Sequence, residues 1–226
     1  MGQITLAGNP PIDIVLRRSR RARRLSLRVS QLDGRVTLTL PKGASEREAR
    51  RFAEEKSDWI AGALSRSETS VDVAPGMSLP IDGTERQVVT GDGRAARLLP
   101  GTLRVPADRP GPAAQALLKH LARDRLAQAS DRYADQVGRA YGRLTLRDTR
   151  SRWGSCSSEG NLMYSWRLIL APREVLDYVA AHEVAHLVHM DHSDRFWGLV
   201  EDICPGYAAP RAWLRREGAG LHKYRF

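Results

Sequence analysis

Residues 182–186 read His182-Glu183-Val184-Ala185-His186. On a helix, side chains four apart sit one turn apart on the same face. Two imidazoles so placed suit two positions of a tetrahedral zinc. Glu183 then lies about 100° round the helix and reaches a water on the open position. There the metal lowers the water's pKa to about 7, and the carboxylate takes its proton. The spacing predicts a single-zinc hydrolase with His182 and His186 as ligands and Glu183 as base.

Two further histidines compete for the third ligand position. His189 faces the same side as His182 but starts seven residues on, roughly 10 Å along the axis. That is too far from a metal midway between His182 and His186. His192 would be further still on a continued helix. It can ligate only if the helix stops and the chain folds back. Met190-Asp191 before His192 and Ser193 after it suit such a stop, so His192 is favoured, with Glu201 or Asp202 as the carboxylate alternative.

These groups need a helix to carry them. Pro172 at a first helical position opens one expected to run to about Met190. Leu176, Ala180, Val184, Leu187 and Val188 give it an apolar face opposite the histidines. Ser193 is the expected cap of the next helix, to about Ile203. Upstream, residues 112–141 read as a long helix, with Leu144–Thr149 and Leu162–Trp166 as strands around a Gly/Ser-rich loop.

Nearer the start, residues 12–40 alternate as extended chain, with Asp33-Gly34 as a hairpin signal. Ser45 and Glu48 form a capping box that opens a helix running to about Leu64. From about 65 to 112, Pro, Gly, Ser and Asp punctuate short strands, with turns at Asp82-Gly83 and Asp92-Gly93. The expected fold class is α+β. A β-rich module with one helix occupies 1–112, and a catalytic half around the His-Glu-x-x-His helix occupies 113–226.

Composition narrows the setting. With 42% hydrophobic and 27% charged residues, the 226-residue chain is globular in character. Two cysteines, Cys156 and Cys204, exclude a disulfide framework and fit reduced thiols. No secretory leader or apolar run of membrane length is legible, so no membrane association and a cytoplasmic location are expected. The net charge of +10 is concentrated near the start, in Arg17-Arg18-Ser19-Arg20-Arg21-Ala22-Arg23-Arg24. Such a run can hold a nucleotide or nucleic acid, or simply be a solvated face. No aromatic residue interleaves with it.

Taken together, Arg150-Ser151-Arg152-Trp153-Gly154-Ser155-Cys156, Ser165 to Pro172, His182 to His186, Asp191-His192-Ser193 and Phe196-Trp197 resemble the YgjP-like metallopeptidase family, related to SprT-like zinc proteases. The likeness extends to Arg17–Val29, Leu40-Pro41 and Trp59-Ile60. It implies a zincin-like catalytic half, zinc on His182, His186 and His192, and Glu183 as base.

Zincin clefts bind extended peptide along an edge strand. The strand 144–149 or 162–166 is the expected edge. Arg150, Arg152, Trp153 and Arg167 are candidates for substrate or oxyanion contact, against a reading in which the tryptophan is core and the arginines bond backbone. Cys156 reads as a buried thiol. Tyr207 and His222 are transition-state donors by type and position only. The leading expectation is a zinc-dependent peptidase acting on peptide or protein. The alternatives are a metal-dependent nucleotide or phosphoanhydride hydrolase, and a hydrolase tethered to DNA. The oligomeric state is not legible.

Overall fold

The computed structural model describes residues 2–7, 11–30, 34–65 and 70–226. Two compact units form, Met1–Ser70 and Val71–Phe226.

In the first unit, strands β1 (Gly2–Leu6), β2 (Ile12–Ser19), β3 (Ser26–Val29) and β4 (Val36–Pro41) form one sheet in the order β1-β2-β4-β3. The β3–β4 pairing is antiparallel, as the Asp33-Gly34 hairpin signal predicted, while β2 and β4 run parallel. Of the expected Asp33-Gly34 turn, Asp33 lies outside the described residues, and Gly34 has φ +64°. Alternate residues Ile14, Leu16, Val36, Leu38 and Leu40 point to one face. That face packs against Ala49 and Ala53 of α1 (Glu46–Glu55) and Ile60 and Ala63 of α2 (Ser57–Ser65). The single helix expected from Ser45 is thus two, separated at Lys56, where ψ opens to 12°. The capping box is present: Ser45 Oγ accepts from Glu48 N, and the Glu48 carboxylate accepts from Ser45 N at 2.7 Å.

The second unit begins with β5 (Val71–Asp72), β6 (Ser78–Ile81), β7 (Thr84–Thr90), β8 (Arg97–Leu99) and β9 (Thr102–Val105). Strands β6 to β9 form a sheet ordered β6-β7-β9-β8. Asp82 and Gly83, both at positive φ, make the β6–β7 turn. Helix α3 (Pro110–Val137) follows and ends where Gly138 enters the left-handed region at φ +63°, its N–H returning to Ala134 and Asp135.

Then come β10 (Leu144–Arg147), β11 (Gly154–Cys156) and β12 (Leu162–Ser165), ordered β10-β12-β11. After a 3₁₀ turn at Trp166–Leu170 come α4 (Arg173–Ala185), α5 (Asp194–Ile203) and α6 (Ala208–Glu217). Strand β13 (Tyr224–Arg225) pairs with β5. The class is α+β, as expected.

The cores divide after Ser70, well ahead of the change in character expected at 112. Leu79, Val88 and Leu103 of the β6–β9 sheet share one buried cluster with Leu118 and Leu126 of α3 and with Val179 and Val184 of α4. A composition shift marks loops and turns, whereas a unit boundary is set by which apolar faces cover each other. Among the described residues, no helix is long and apolar enough to cross a membrane.

Removing the Ser45 cap should therefore act on one unit. Ser45→Ala is expected to cost about 1 kcal/mol, seen in hydrogen exchange as faster amides in α1, with the amides of α3 and α4 unchanged.

Candidate metal centre

The apolar face of α4 is buried through Val175, Val179, Ala180 and Val184. That burial fixes the helix's rotation and turns His182 and His186 to one common side. The helix ends sooner than expected, at Ala185 instead of near Met190. Leu187 N bonds Val184 O, and both Val188 N and His189 N bond Ala185 O, closing the last turn. His186 contributes too, because its Nδ1 lies 2.9 Å from the His189 carbonyl. A carbonyl only accepts, so Nδ1 carries the proton and Nε2 keeps its lone pair. His189 therefore serves the site through its backbone, and its ring is not part of the cluster.

The early stop lets the chain turn back. His182, His186 and His192 bring one ring nitrogen each within 4.8 Å of the others. His192 Nε2 lies 3.1 Å from His182 Nε2, close to the roughly 3.3 Å between two nitrogens on one tetrahedral zinc at 2.0–2.1 Å. The alternatives Glu201 and Asp202 are exposed and outside the cluster, and Glu201 accepts the Gly206 N–H instead. Ser193 precedes α5, but its hydroxyl bonds Asp191 at 2.8 Å instead of capping the helix.

Burial tunes these groups. His186 is only 8% exposed. Burial, helped by His186, His192 and Arg211, brings the His182 pKa down to about 3, and burial lowers that of His186. Both rings are thus held neutral with lone pairs available, as a metal requires. His182 Nδ1 is buried with no hydrogen-bond partner among the described residues. Three imidazoles converging on one point, two of them held neutral by burial and one with its tautomer set, fit a zinc ion.

Glu183, one residue on from His182, lies against β11. It is 5% exposed, and burial pushes its carboxyl up to about 8, opposed by the charge of Arg152 and a hydrogen bond from the Cys156 backbone. A Cβ on Gly154 would lie 2.5 Å from Glu183 Oε1. Only glycine leaves room there for the carboxylate.

Strand β11 is a correction to the expected Gly/Ser loop. Strand β12, one of the two expected edges, is central: it pairs with β10 on one side and with β11 on the other. Trp153 O and Ser157 N bond across to Ser165 and Asn161. The alternating residues Gly154 and Cys156 therefore turn their backbone groups toward the outer edge. Three residues rich in Gly and Ser carry no apolar alternation, so this strand was invisible to periodicity.

Phe196 is the other residue that spacing did not single out. It is fully buried, and its ring centroid lies 4.9, 4.5 and 4.8 Å from His182, His186 and His192. Its signal is the Phe196/Val200 pair, the apolar stripe of α5. Beyond it Trp197 stacks on Tyr207, which stacks on Tyr178, and Arg211 covers Trp197 at 4.1 Å.

The flanking candidates separate. Arg152 is exposed and close enough to bias Glu183. Arg167 is not available to substrate. It is 8% exposed, forks onto Asp148 at 2.7 and 3.1 Å, and donates to the Leu221 and Tyr224 carbonyls. Trp153 is half-buried against His222, rings 5.1 Å apart, and against Gly218. Arg150, exposed, biases His222. Cys156 is half-buried, and burial together with Glu183 pushes its thiol up to about 11.

A model of the family described as YgjP-like, metallopeptidase domain, matches residues 23–217. A solved structure, the metallopeptidase zymogen of Pyrococcus abyssi abylysin, is similar with a TM-score of 0.36 and 23% sequence identity, over 46% of this chain and 99% of that one. No curated protein matches.

His222 yields a pH test away from the histidine cluster. Burial, then Arg167, lowers its pKa to about 4. An unfolded histidine protonates near 6.5, so below that pH the unfolded state gains a proton that the folded state refuses. Stability should therefore fall as pH drops from about 6.5 to about 4. In His222→Phe this part of the acid loss should shrink, as read from urea midpoints across that range.

Proposed function

Because the chain belongs to the YgjP-like metallopeptidase family, we propose that it is a zinc-dependent metallopeptidase with a zincin-like catalytic half. His182, His186 and His192 hold the metal, and Glu183 is the catalytic base. The observation that carries this reading is the convergence of three histidine nitrogens within 4.8 Å beside a buried glutamate on the same helix. Imidazole donors suit zinc among the biological divalent ions. A zinc ion held there supplies the positive charge that acidifies water and polarises a carbonyl.

The protein's own groups do the rest. An extended peptide adds along the outer edge of β11, where the Gly154 backbone and the Cys156 carbonyl offer partners, the Cys156 N–H being held by Glu183. Glu183, pressed on Gly154, takes a proton from the attacking water at its carboxylate. It then returns that proton to the departing amine nitrogen. Burial of the carboxylate suits both steps, since a raised pKa makes it a better base and, once protonated, still an acid near neutral pH. Arg152, exposed and close enough to bias Glu183, meets the negative charge that develops on the substrate oxygen in this reading. Phe196 closes the inner side of the three rings and keeps water from their buried faces.

Three substitutions separate these roles. His192→Ala should lower zinc content measured by plasma mass spectrometry. Glu183→Gln should keep zinc and lose about 10²- to 10⁴-fold in kcat on an unfolded protein or peptide library. No cleavage of any such library by fully zinc-loaded protein would sink the assignment.

Gly154→Ala tests the cradle. It should retain both zinc and fold yet lose at least tenfold in kcat, because the added methyl displaces the carboxylate. Full activity in that variant would remove Gly154 from the argument.

A further inference from the structure

The first unit carries a second feature, independent of the zinc reading. Residues 11–30 hold seven arginines and a single acid, Asp13. The helices behind the sheet, residues 46–65, hold four basic residues against five acidic. Positive charge is therefore segregated to the strands and to the turn joining β2 to β3. Of the seven, Arg18 is committed to the unit itself, donating to the Lys42 and Ala44 carbonyls at 3.3 and 2.7 Å. Arg17, Arg20, Arg21, Arg23, Arg24 and Arg28 are all exposed and have no carboxylate or carbonyl partner among the described residues. Six unneutralised guanidinium groups this close repel one another, and an anion relieves that repulsion.

The sheet sets where they point. The inner face is covered by α1 and α2. Register places Arg17 beside Thr39 and Ser26, and Arg28 beside Thr37 and Val15, all on the opposite face. Arg17 and Arg28 stand on strands separated by β4, so about 10 Å divides them across the sheet. Asp13, the acid of that face, already accepts the Thr5 hydroxyl at 2.7 Å.

We infer that this face binds the phosphate backbone of duplex nucleic acid, without sequence preference. The observations favour that polyanion over the others. A single nucleotide needs donors that converge on one pocket, and these are spread over two strands and a turn. A membrane surface needs apolar side chains projecting among the basic ones, yet Leu25 and Leu27 pack back against the unit's own core. A single strand needs aromatic platforms for its bases. The aromatic residues of this unit, Phe52 and Trp59, both lie on the helices. Guanidinium groups bond phosphate oxygens two at a time, and hydroxyls such as Thr37 and Thr39 bond them as well.

The test is fluorescence anisotropy of the full chain with a labelled 20-base-pair DNA duplex, the matching single strand, the equivalent RNA duplex, and phosphatidylserine-containing vesicles. Duplex binding should fall with salt with a log–log slope approaching about −5 for six phosphate contacts. Replacing Arg20, Arg21, Arg23 and Arg24 by Ser should weaken duplex binding at least tenfold. The pair Arg17→Gln and Arg28→Gln should weaken it severalfold. A charge-matched variant with Arg97, Arg123, Arg139 and Arg147 replaced by Ser should lose less than twofold. Circular dichroism should show each variant folded, and zinc content should be unchanged in all of them. Equal losses in the two four-arginine variants would overturn the inference, because binding would then reflect net charge. So would tighter binding to the single strand or to vesicles, salt-insensitive binding, or no duplex binding at all.

Discussion

The His186 ring lies with Nδ1 2.9 Å from the His189 carbonyl, and the convergence of the three histidines proposed as ligands depends on the turn that this bond helps close. Two histidines four apart on a helix can meet one ion, but a third on the same helix rises too far along the axis. For a third histidine to join them, the chain must leave the helix within a few residues of His186 and come back. The bond helps close the turn at His186, after which the chain returns with His192, and it leaves the Nε2 lone pair of His186 for the proposed metal. A polar contact between the His186 ring and the backbone that follows it thus sets ring orientation and tautomer together.

Desolvation is the complementary constraint. The same packing that buries Val179, Ala180 and Val184 withdraws His182, His186 and Glu183 from water. For the histidines this favours the neutral form, which a cation needs. For Glu183 it raises the carboxyl's affinity for a proton, so that the carboxylate, when ionised, is a stronger base than one in water. Gly154 is the steric condition for that arrangement, since any side chain there would occupy the space of the carboxylate. Phe196 is the apolar condition, filling the volume behind three rings that would otherwise hold water.

The arginines divide along similar lines. Arg167, deep among Trp166, Asp148 and the last residues of the chain, has its charge matched by a carboxylate and two carbonyls. A buried guanidinium without such partners would be severely destabilising. Arg17, Arg20, Arg21, Arg23, Arg24 and Arg28 stay in water, where an unpaired charge costs little, and are available to a partner.

Much of this was legible in the residues themselves. The His-Glu-x-x-His spacing, the distance argument against His189, the capping box at Ser45 and the alternation of β2 to β4 follow from fixed helix and strand geometry, which any sequence of that pattern must obey. Other features depend on what lies opposite in space. Helix α4 stops at Ala185, where three backbone bonds and the His186 ring close its last turn, and β11 is a strand because β12 is beside it. Arg167 is structural because Asp148 and the C-terminal segment meet there. The boundary after Ser70 exists because the β6–β9 sheet shares its apolar face with α3 and α4. Local spacing determined which atoms could do chemistry; the tertiary structure decided which of them are neutral, buried and within reach, because burial and contact are properties of neighbours that the order of residues does not name.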